Sequence, residues 1–341
     1  MAIASNPYFA TIGMFIVDEF SFADENGEPT AQVVPPQIGG GGTYAAIGAR
    51  IWLPPDEIKM IIDKGHDFPA DIESQLLQYG KDMWSFREQP GHGTTRALNS
   101  YKGELRNFEY LTPRIRITPN DLLRLKIKPK TLHFICSPTR AGEIVSEVQQ
   151  VEGWTPTTIY EPIPDRCVPE ELPALKRILP YISILSPNAE EALSLLGMKV
   201  PLTRENVEQA VDAFLSFGIG NANEGFIIVR SGALGAYVKS KSESGRWIDA
   251  YWGEDNRERV VDVTGAGNAF LGGLAAGLLR TGDQIFEAVL HASVSASFVI
   301  EQQGLPMMSV DTPTKKATWN GEDPEQRLIN LRNRQTKLQS E

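Results

Sequence analysis

Cysteine is scarce in this sequence: Cys136 and Cys167 are the only two in 341 residues. Two cysteines make neither the disulfide framework of a small secreted domain nor a Cys-rich metal site, and they suit a reducing compartment. Positive charge is also short, with 33 Lys and Arg against 43 Asp and Glu and a formal net charge of -10. Bulk attraction to nucleic acid or to an anionic membrane is thereby excluded, whereas a local basic pocket for phosphate is not. No run approaches the roughly 18–20 apolar residues needed to cross a bilayer, and the N-terminus lacks the basic start and long apolar stretch of a secretory signal. A cytoplasmic protein with a small-molecule substrate, and without nucleic-acid or membrane partners, is the expectation.

Apolar content is ample, at 41% of residues, enough for a sizeable core. Short apolar runs at 11–17, 131–136, 157–160, 182–185 and 225–229 predict strands buried on both faces. Helical patterns at 141–151, 190–197 and 204–217 lie between them. Such alternation predicts a mostly parallel sheet covered on both sides. Two regions break the rhythm: 20–36 is polar and turn-rich, and 91–113 mixes Gly, Thr and Asn with aromatics. Both read as excursions that cover a site, or else as long surface loops. The segment from 314 on is polar and charged, a tail or peripheral helix. The expected organisation is one α/β domain over 1–313, with lid elements within 18–40 and 91–116, and a tail over 314–341.

The strongest chemical signal is Asp262-Val263-Thr264-Gly265-Ala266-Gly267-Asn268, followed by an apolar helical pattern over 269–280. A Gly-Ala-Gly turn lets backbone N–H groups approach a ligand, and the following helix adds unpaired N–H groups and its positive dipole end. By itself, Gly-x-Gly equally serves tight helix–sheet packing. Asn188 and Glu191 stand one helical turn apart; they can organise a hydrated Mg²⁺, or simply form a helix cap and capping box. Asp18, at a strand end, can accept hydrogen bonds from two hydroxyls or lie at a loop entry. Arg96 and Asn99 read as structural. Cys136 reads by itself as a packed thiol.

These stretches resemble the PfkB/ribokinase family of carbohydrate kinases. The 262–268 stretch and its Gly-rich helix are similar to the family's C-terminal signature, Asp-x-Thr-Gly-Ala-Gly-Asp, with Asn268 in place of the last acid. Gly39-Gly40-Gly41-Gly42-Thr43-Tyr44 and the Ala-rich stretch after it resemble the N-terminal signature, Gly-Gly-x-Gly-x-Asn. Residues 13–18 are similar to the first strand, Asn188-Ala189-Glu190-Glu191 to the Asn-x-x-Glu motif, and 229–236 to the strand–turn bordering the nucleotide. Residues 292–304 match the last helix, which flanks adenine, less closely. The resemblance spans about 10–305 and implies a ribokinase-like three-layer α/β/α fold with a mostly parallel central sheet and a small lid.

Function follows as an expectation of the same resemblance: an ATP- and Mg²⁺-dependent kinase for a hydroxyl of a sugar- or nucleoside-like molecule. Gly265, Ala266 and Gly267 would cradle the phosphoryl group, with Asn268 at the catalytic position. Asp18, Gly40, Gly42, Tyr44 and Cys136 would line the acceptor site. Asn188, Ser231, Gly232, Gly235, Thr264 and Ser293 would hold the nucleotide, and Glu191 the metal through water. The lid also offers a surface for a homodimer. Four positions depart from the pattern: Asn268 for the base, Tyr44 for an Asn, Ile16 for a polar residue and Cys136 for an acid. Three of them predict a more apolar acceptor pocket. Asn268 together with Glu161-Pro162-Ile163-Pro164-Asp165 resembles the fungal maintenance-of-killer subgroup, and Glu161 is expected near the phosphate region. An amide cannot take a proton, so a slow kinase, a pseudokinase that binds without turnover, and an enzyme repurposed for cyclisation, isomerisation or elimination all remain consistent with the sequence.

Overall fold

The computed structural model describes residues 6–102, 105–311, 313 and 316–338. The parts of the expected lid and tail at 103–104, 314–315 and 339–341 lie outside the described residues. Nine strands form one sheet, in the order Arg246–Ile248, Ala236–Ser240, Phe226–Arg230, Ile184–Leu185, Thr157–Pro162, Thr131–Cys136, Phe9–Thr11, Ile58–Gly65 and Trp84–Gln89. From Phe226–Arg230 to Trp84–Gln89 every pairing is parallel, and the two strands at the other edge are antiparallel.

Successive residues of a strand point to opposite faces, and here they feed two separate cores. Phe9, Ile62, Ile159 and Ile228 join one core, with the helices Gly41–Arg50, Ala266–Thr281, Ile285–Val299 and Pro324–Leu338. Ala10, Ile61, Tyr160 and Ile227 join the other, with Pro138–Gln149, Ala189–Leu195 and Arg204–Ser216. The result is the three-layer α/β/α arrangement. Gly48 and Gly272 let two helices of the first layer touch through their backbones: a Cβ at Gly272 would lie 1.8 Å from the Ala45 carbonyl oxygen.

The run at 11–17, expected as one strand, is two. Phe9–Thr11 belongs to the large sheet, the chain leaves it at Ile12, and Ile16–Ala23 opens a second sheet. At this break Gly13 packs directly on the backbone of Gly42 at the start of the first helix, where a side chain would not fit. The second sheet is ordered Gln37–Gly39, Ile16–Ala23, Arg96–Lys102 and Leu105–Tyr110; its last two strands lie within the irregular region 91–113, and its first two flank the region 20–36.

The C-terminal helix Pro324–Leu338 docks on the Ile285–Val299 helix through buried Leu328, Leu331 and Arg327. Arg327 stacks 3.8 Å from the Phe298 ring centroid and pairs with Glu301 at 2.7 Å and Glu322 at 2.9 Å. Gln335 bonds the backbone of Trp247 and Asp249, and Arg334 donates to the Tyr251 carbonyl. The polar tail of the sequence is therefore a brace behind the 247–252 segment. Among the described residues, no helix is long and apolar enough to cross a membrane.

Candidate active site

In an open parallel sheet, ligands gather beyond the C-terminal ends of the strands. Thr11, Cys136, Glu161 and Arg230 all lie at such ends. Gly265 starts the Ala266–Thr281 helix in the left-handed conformation, φ 77°. A Cβ at Gly265 would fall inside the Tyr44 ring, 2.2 Å from its Cγ. Tyr44 is thus the packing partner of the turn. Its hydroxyl is held above its usual pKa range by burial and then by Asp18.

The turn carries a cation. A Cβ at Gly267 would lie 1.9 Å from Nη1 of Arg230, so the guanidinium rests directly against Gly267. The same Nη1 pairs with Glu161 at 2.8 Å; Nη2 donates to the Ser186 carbonyl at 2.9 Å and lies 3.7 Å from Glu191. Arg230 Nε is buried without a partner among the described residues. One arginine bridges two buried carboxylates.

Those carboxylates are held in opposite ways. Burial pushes Glu161 upward, but Arg230, His133 and Asn268 outweigh it and hold the carboxyl below its ordinary range. Glu191 is pushed up to about 7, by burial first, with Arg230 opposing and Glu161 adding to the rise. Asn188 and Glu191 form a reciprocal capping box: Asn188 N–H donates to Glu191 Oε2 at 2.7 Å, and Glu191 N–H to Asn188 Oδ1 at 2.8 Å.

A chain of hydrogen bonds fixes Glu161 and Asn268. The Gly13 N–H donates to Thr11 Oγ1 at 3.1 Å, and Thr11 Oγ1 lies 2.9 Å from His133 Nδ1. His133 Nε2 lies 3.4 Å from Glu161 Oε2, and Asn268 Nδ2 donates to that same oxygen at 2.7 Å. An ionised carboxylate only accepts, so the His133 ring donates to Glu161 from Nε2. The same logic turns the Asn268 amide: its N–H₂ faces Glu161 and Oδ1 is left as the acceptor, while Gly41 packs on the amide as a whole with Nδ2 the nearer atom.

The turn lines one of two cavities, the larger, and comes near the smaller through Gly41, which packs on Asn268. The larger, about 510 Å³, is lined by Asn188, Arg230, Ser231, Gly232, Gly235, Trp252, Ala266, Gly267 and Ser293, among others. Ser293 also donates to the Asp249 carbonyl at 2.9 Å. The smaller, about 160 Å³, begins at Gly41 and is lined by Met14, Ile16, Cys136, Arg114, Arg116 and Arg140. Asn268 is in neither lining: it follows Gly267 of the larger cavity and packs against Gly41 of the smaller. Thr264 is in neither lining; its backbone N–H bonds Asp262. Gly40 precedes the Gly41–Arg50 helix, and Gly42 packs on Gly13. Asp18 sits behind Gly39, accepting from Asn99 at 3.2 Å, outside both linings. Arg96 pairs with Glu19 and Asp67, a structural role. The acceptor-side cavity was expected to be apolar, and its aliphatic wall is accompanied by three arginines.

Sequence reasoning missed Arg230, His133 and those three arginines. Arg230 had a signal, a basic residue at the end of a strand leading into the Ser231–Gly235 turn. The turn, with its glycines and the orphaned Arg230 Nε, fits a phosphate. A metal has less support: among the described residues no three His, Cys, Asp or Glu side chains gather as a site.

This fold and cleft define a ribokinase-like α/β protein with a nucleotide-sized cavity beside a smaller one. The pattern of the pfkB family of carbohydrate kinases matches residues 135–312. An uncharacterized protein of Schizosaccharomyces pombe is 35% identical over 338 residues, covering 94% of this chain and 91% of that one. Protein MAK32 of Saccharomyces cerevisiae is 33% identical over 333 residues, covering 91% and 88%. A putative ribokinase II from E. coli, solved in complex with ATP and Mg²⁺, superposes with a TM-score of 0.63, at 22% identity over 87% of this chain and 94% of that one. The chain belongs to the pfkB family, in the company of fungal relatives of the maintenance-of-killer type.

Proposed function

We propose that this protein is an ATP-dependent phosphotransferase acting on a hydroxyl of a small sugar- or nucleoside-like molecule. One observation carries the reading: a cavity of about 510 Å³ is lined at one end by a glycine turn that holds a buried arginine, and Asn268 of that turn packs against Gly41, which lines a second, smaller cavity. Phosphoryl transfer needs mainly positioning and electrostatic stabilisation, and these residues supply both.

In this reading bound ATP would supply the phosphoryl group, Mg²⁺ would neutralise charge on its phosphates, and Glu191 is the residue that would hold the ion, through water. Arg230 and the N–H groups of the 265–268 turn receive negative charge. Ser231, Gly232, Gly235 and Ser293 border the rest of the nucleotide. Asn268, its amide fixed by Glu161, accepts the acceptor O–H at Oδ1 and orients it without removing the proton. General-base help, worth about 10²–10⁴-fold, is missing, so turnover is slow. A nucleotide-binding protein without turnover is the second reading, favoured by the amide at 268.

Thermal unfolding tests the reading. Saturating ATP with Mg²⁺ should raise the melting temperature by several degrees, since a ligand at a hundred times its Kd adds about 2.7 kcal/mol to stability. Gly267→Asp should abolish the rise by pairing its carboxylate with Arg230 and filling the turn. No rise at millimolar ATP overturns both readings. ADP release above the level of Gly267→Asp selects the enzyme over the silent binder.

A further inference from the structure

One wall of the larger cavity, Ala250, Tyr251, Trp252 and Gly253, follows the edge strand Arg246–Ile248 and has neither helix nor strand of its own. Such a stretch has no ladder to take up its backbone N–H and C=O groups, which must find partners elsewhere. They find them on the Pro324–Leu338 helix. Arg334 donates to the Tyr251 carbonyl at 3.1 Å and to the Ala250 carbonyl. Gln335 accepts the Asp249 N–H at 3.0 Å and donates to the Trp247 carbonyl at 2.8 Å. From the other side Ser293 donates to the Asp249 carbonyl, and Gly235 packs so closely that a Cβ there would lie 2.1 Å from the Ile248 carbonyl oxygen.

The side chains of the wall are fixed from the same helix. The Trp252 indole N–H donates to Glu301 Oε1 at 2.8 Å, and Arg327 pairs with that same oxygen at 2.7 Å. Arg327 also donates to Ser297 Oγ at 2.9 Å, and Ser297 lines the cavity. With its N–H engaged, Trp252 offers a ligand its ring and not its donor. Arg327, Arg334 and Gln335 themselves lie outside the lining. Ordering a free backbone costs about 1–2 kcal/mol per residue, and a ligand that must order its own site loses that much affinity. A wall held in advance spares the ligand this cost.

We infer that Arg334 and Gln335, together with Arg327, are positioning residues of the larger cavity, so that its ligand affinity is set by side chains that no ligand touches. The hold on the wall stands on its own geometry; its expression as ATP affinity rests on the phosphotransferase reading.

The test reads wall and affinity separately in the full chain. In the free protein, amide hydrogen exchange over 248–253 should quicken about tenfold in Arg334→Ala/Gln335→Ala. ATP with Mg²⁺, titrated by calorimetry, should bind this variant about tenfold more weakly. Arg334 is exposed and Gln335 half-buried, so the urea midpoint should stay close to that of the wild type. Arg334→Ala alone should show the same two effects at smaller size. Arg334→Lys, which keeps a cationic donor beside the two carbonyls, should stay within about threefold of the wild-type affinity. Arg332→Gln lies on the same helix but pairs with Glu287, and it should move neither reading. Unchanged exchange over 248–253 in the double variant, or faster exchange with unchanged ATP affinity, overturns the inference, while ATP binding by the wild type leaves the phosphotransferase reading standing. An equal loss of ATP affinity in Arg332→Gln would assign the effect to helix docking at large and overturns it as well. Faster exchange in the variant, with no ATP response in the wild type, supports the hold on the wall and removes the phosphotransferase reading.

Discussion

The larger cavity draws much of its lining from short stretches of chain, Arg230 to Ala233, Ala250 to Glu254 and Ala266 to Gly267, plus one face of the Ile285–Val299 helix. The smaller draws its polar lining from Arg114, Arg116 and Arg140, which belong to no motif and come from two unrelated elements. Backbone geometry builds the first: a left-handed glycine, a helix start and small residues that admit a ligand. Side chains brought together only by folding build the second. A cavity made of backbone tolerates little variation in sequence, whereas one made of side chains can change its ligand without changing the fold. That difference explains how a chain can keep the glycine-turn pattern of its family around the larger cavity while the side chains of the smaller one vary.

Arg230 is where the two sides join, so its loss is the most severe test of the comparison. Arg230→Met would leave Glu161 and Glu191 buried without their shared cation. Breaking a buried ion pair from one side costs about 3–5 kcal/mol, readable as a lower urea midpoint. The loss should be greater at pH 8 than at pH 5, because both carboxyls become harder to ionise once the guanidinium is gone. A loss below about 1 kcal/mol at both pH values would mean that the arginine does not join the two sides.

The next largest effect concerns the exchange of acid and amide across the turn. Asn268→Asp, which restores the family's acid, would set a carboxylate at the 2.7 Å contact now made to Glu161. Two carboxylates at that distance cannot both ionise. The single change should cost about 3 kcal/mol, as an uncompensated buried charge does, and should not speed phosphoryl transfer. Adding Glu161→Asn returns one acid and one amide in transposed positions, and a double-mutant cycle should recover about 1–3 kcal/mol. In the double variant a carboxylate faces the acceptor, so ADP release should rise, by up to the about 10²–10⁴-fold of general-base catalysis. Additive costs with no gain in turnover would show that Asn268 and Glu161 are not an exchanged pair.

The pair also marks how far the sequence could be read. The Gly265–Asn268 turn, the Asn188–Glu191 cap and the strand at 131–136 are local, and the structure has each where periodicity and small residues put it. Strands Ile58–Gly65 and Trp84–Gln89 were not picked out, because Lys, Asp, Arg and Glu interrupt their apolar pattern and pair across the sheet edge instead. The second sheet looked irregular because its strands, such as Ile16–Ala23 and Arg96–Lys102, are only partly buried and so carry polar residues. His133 was hidden inside an apolar strand, where only the neighbouring Thr11 and Glu161 give it partners. No local pattern announces a contact between residues 107 positions apart, as Asn268 and Glu161 are.

The smallest expected effect separates the two carboxyls by pH. Glu191 has an ordinary value of 4.5 and stands at about 7 in the folded protein, raised by burial first, opposed by Arg230, and raised further by Glu161 and Glu190. Between these values the folded protein binds more protons than the unfolded chain, so stability falls as pH rises from about 4.5 to about 7 and levels off above that. Glu161, held below its ordinary range, stays ionised in the folded protein; its slope is of opposite sign, is confined to pH values around and below its ordinary 4.5, and is common to variant and wild type. Glu191→Gln removes the titration yet keeps the capping box, since Gln completes it as well as Glu. The variant should therefore gain on the wild type by about 1–2 kcal/mol between pH 5 and pH 8. A tenfold change in proton affinity is worth about 1.4 kcal/mol, and a carboxyl at the cleft edge regains some water as it ionises. Buried His291, with its pKa lowered by desolvation, titrates in both proteins and cancels from the difference. Urea midpoints at the two pH values make the measurement. Parallel pH profiles for variant and wild type would place Glu191 in the same electrostatic regime as Glu161, and the contrast between the two carboxyls would be lost.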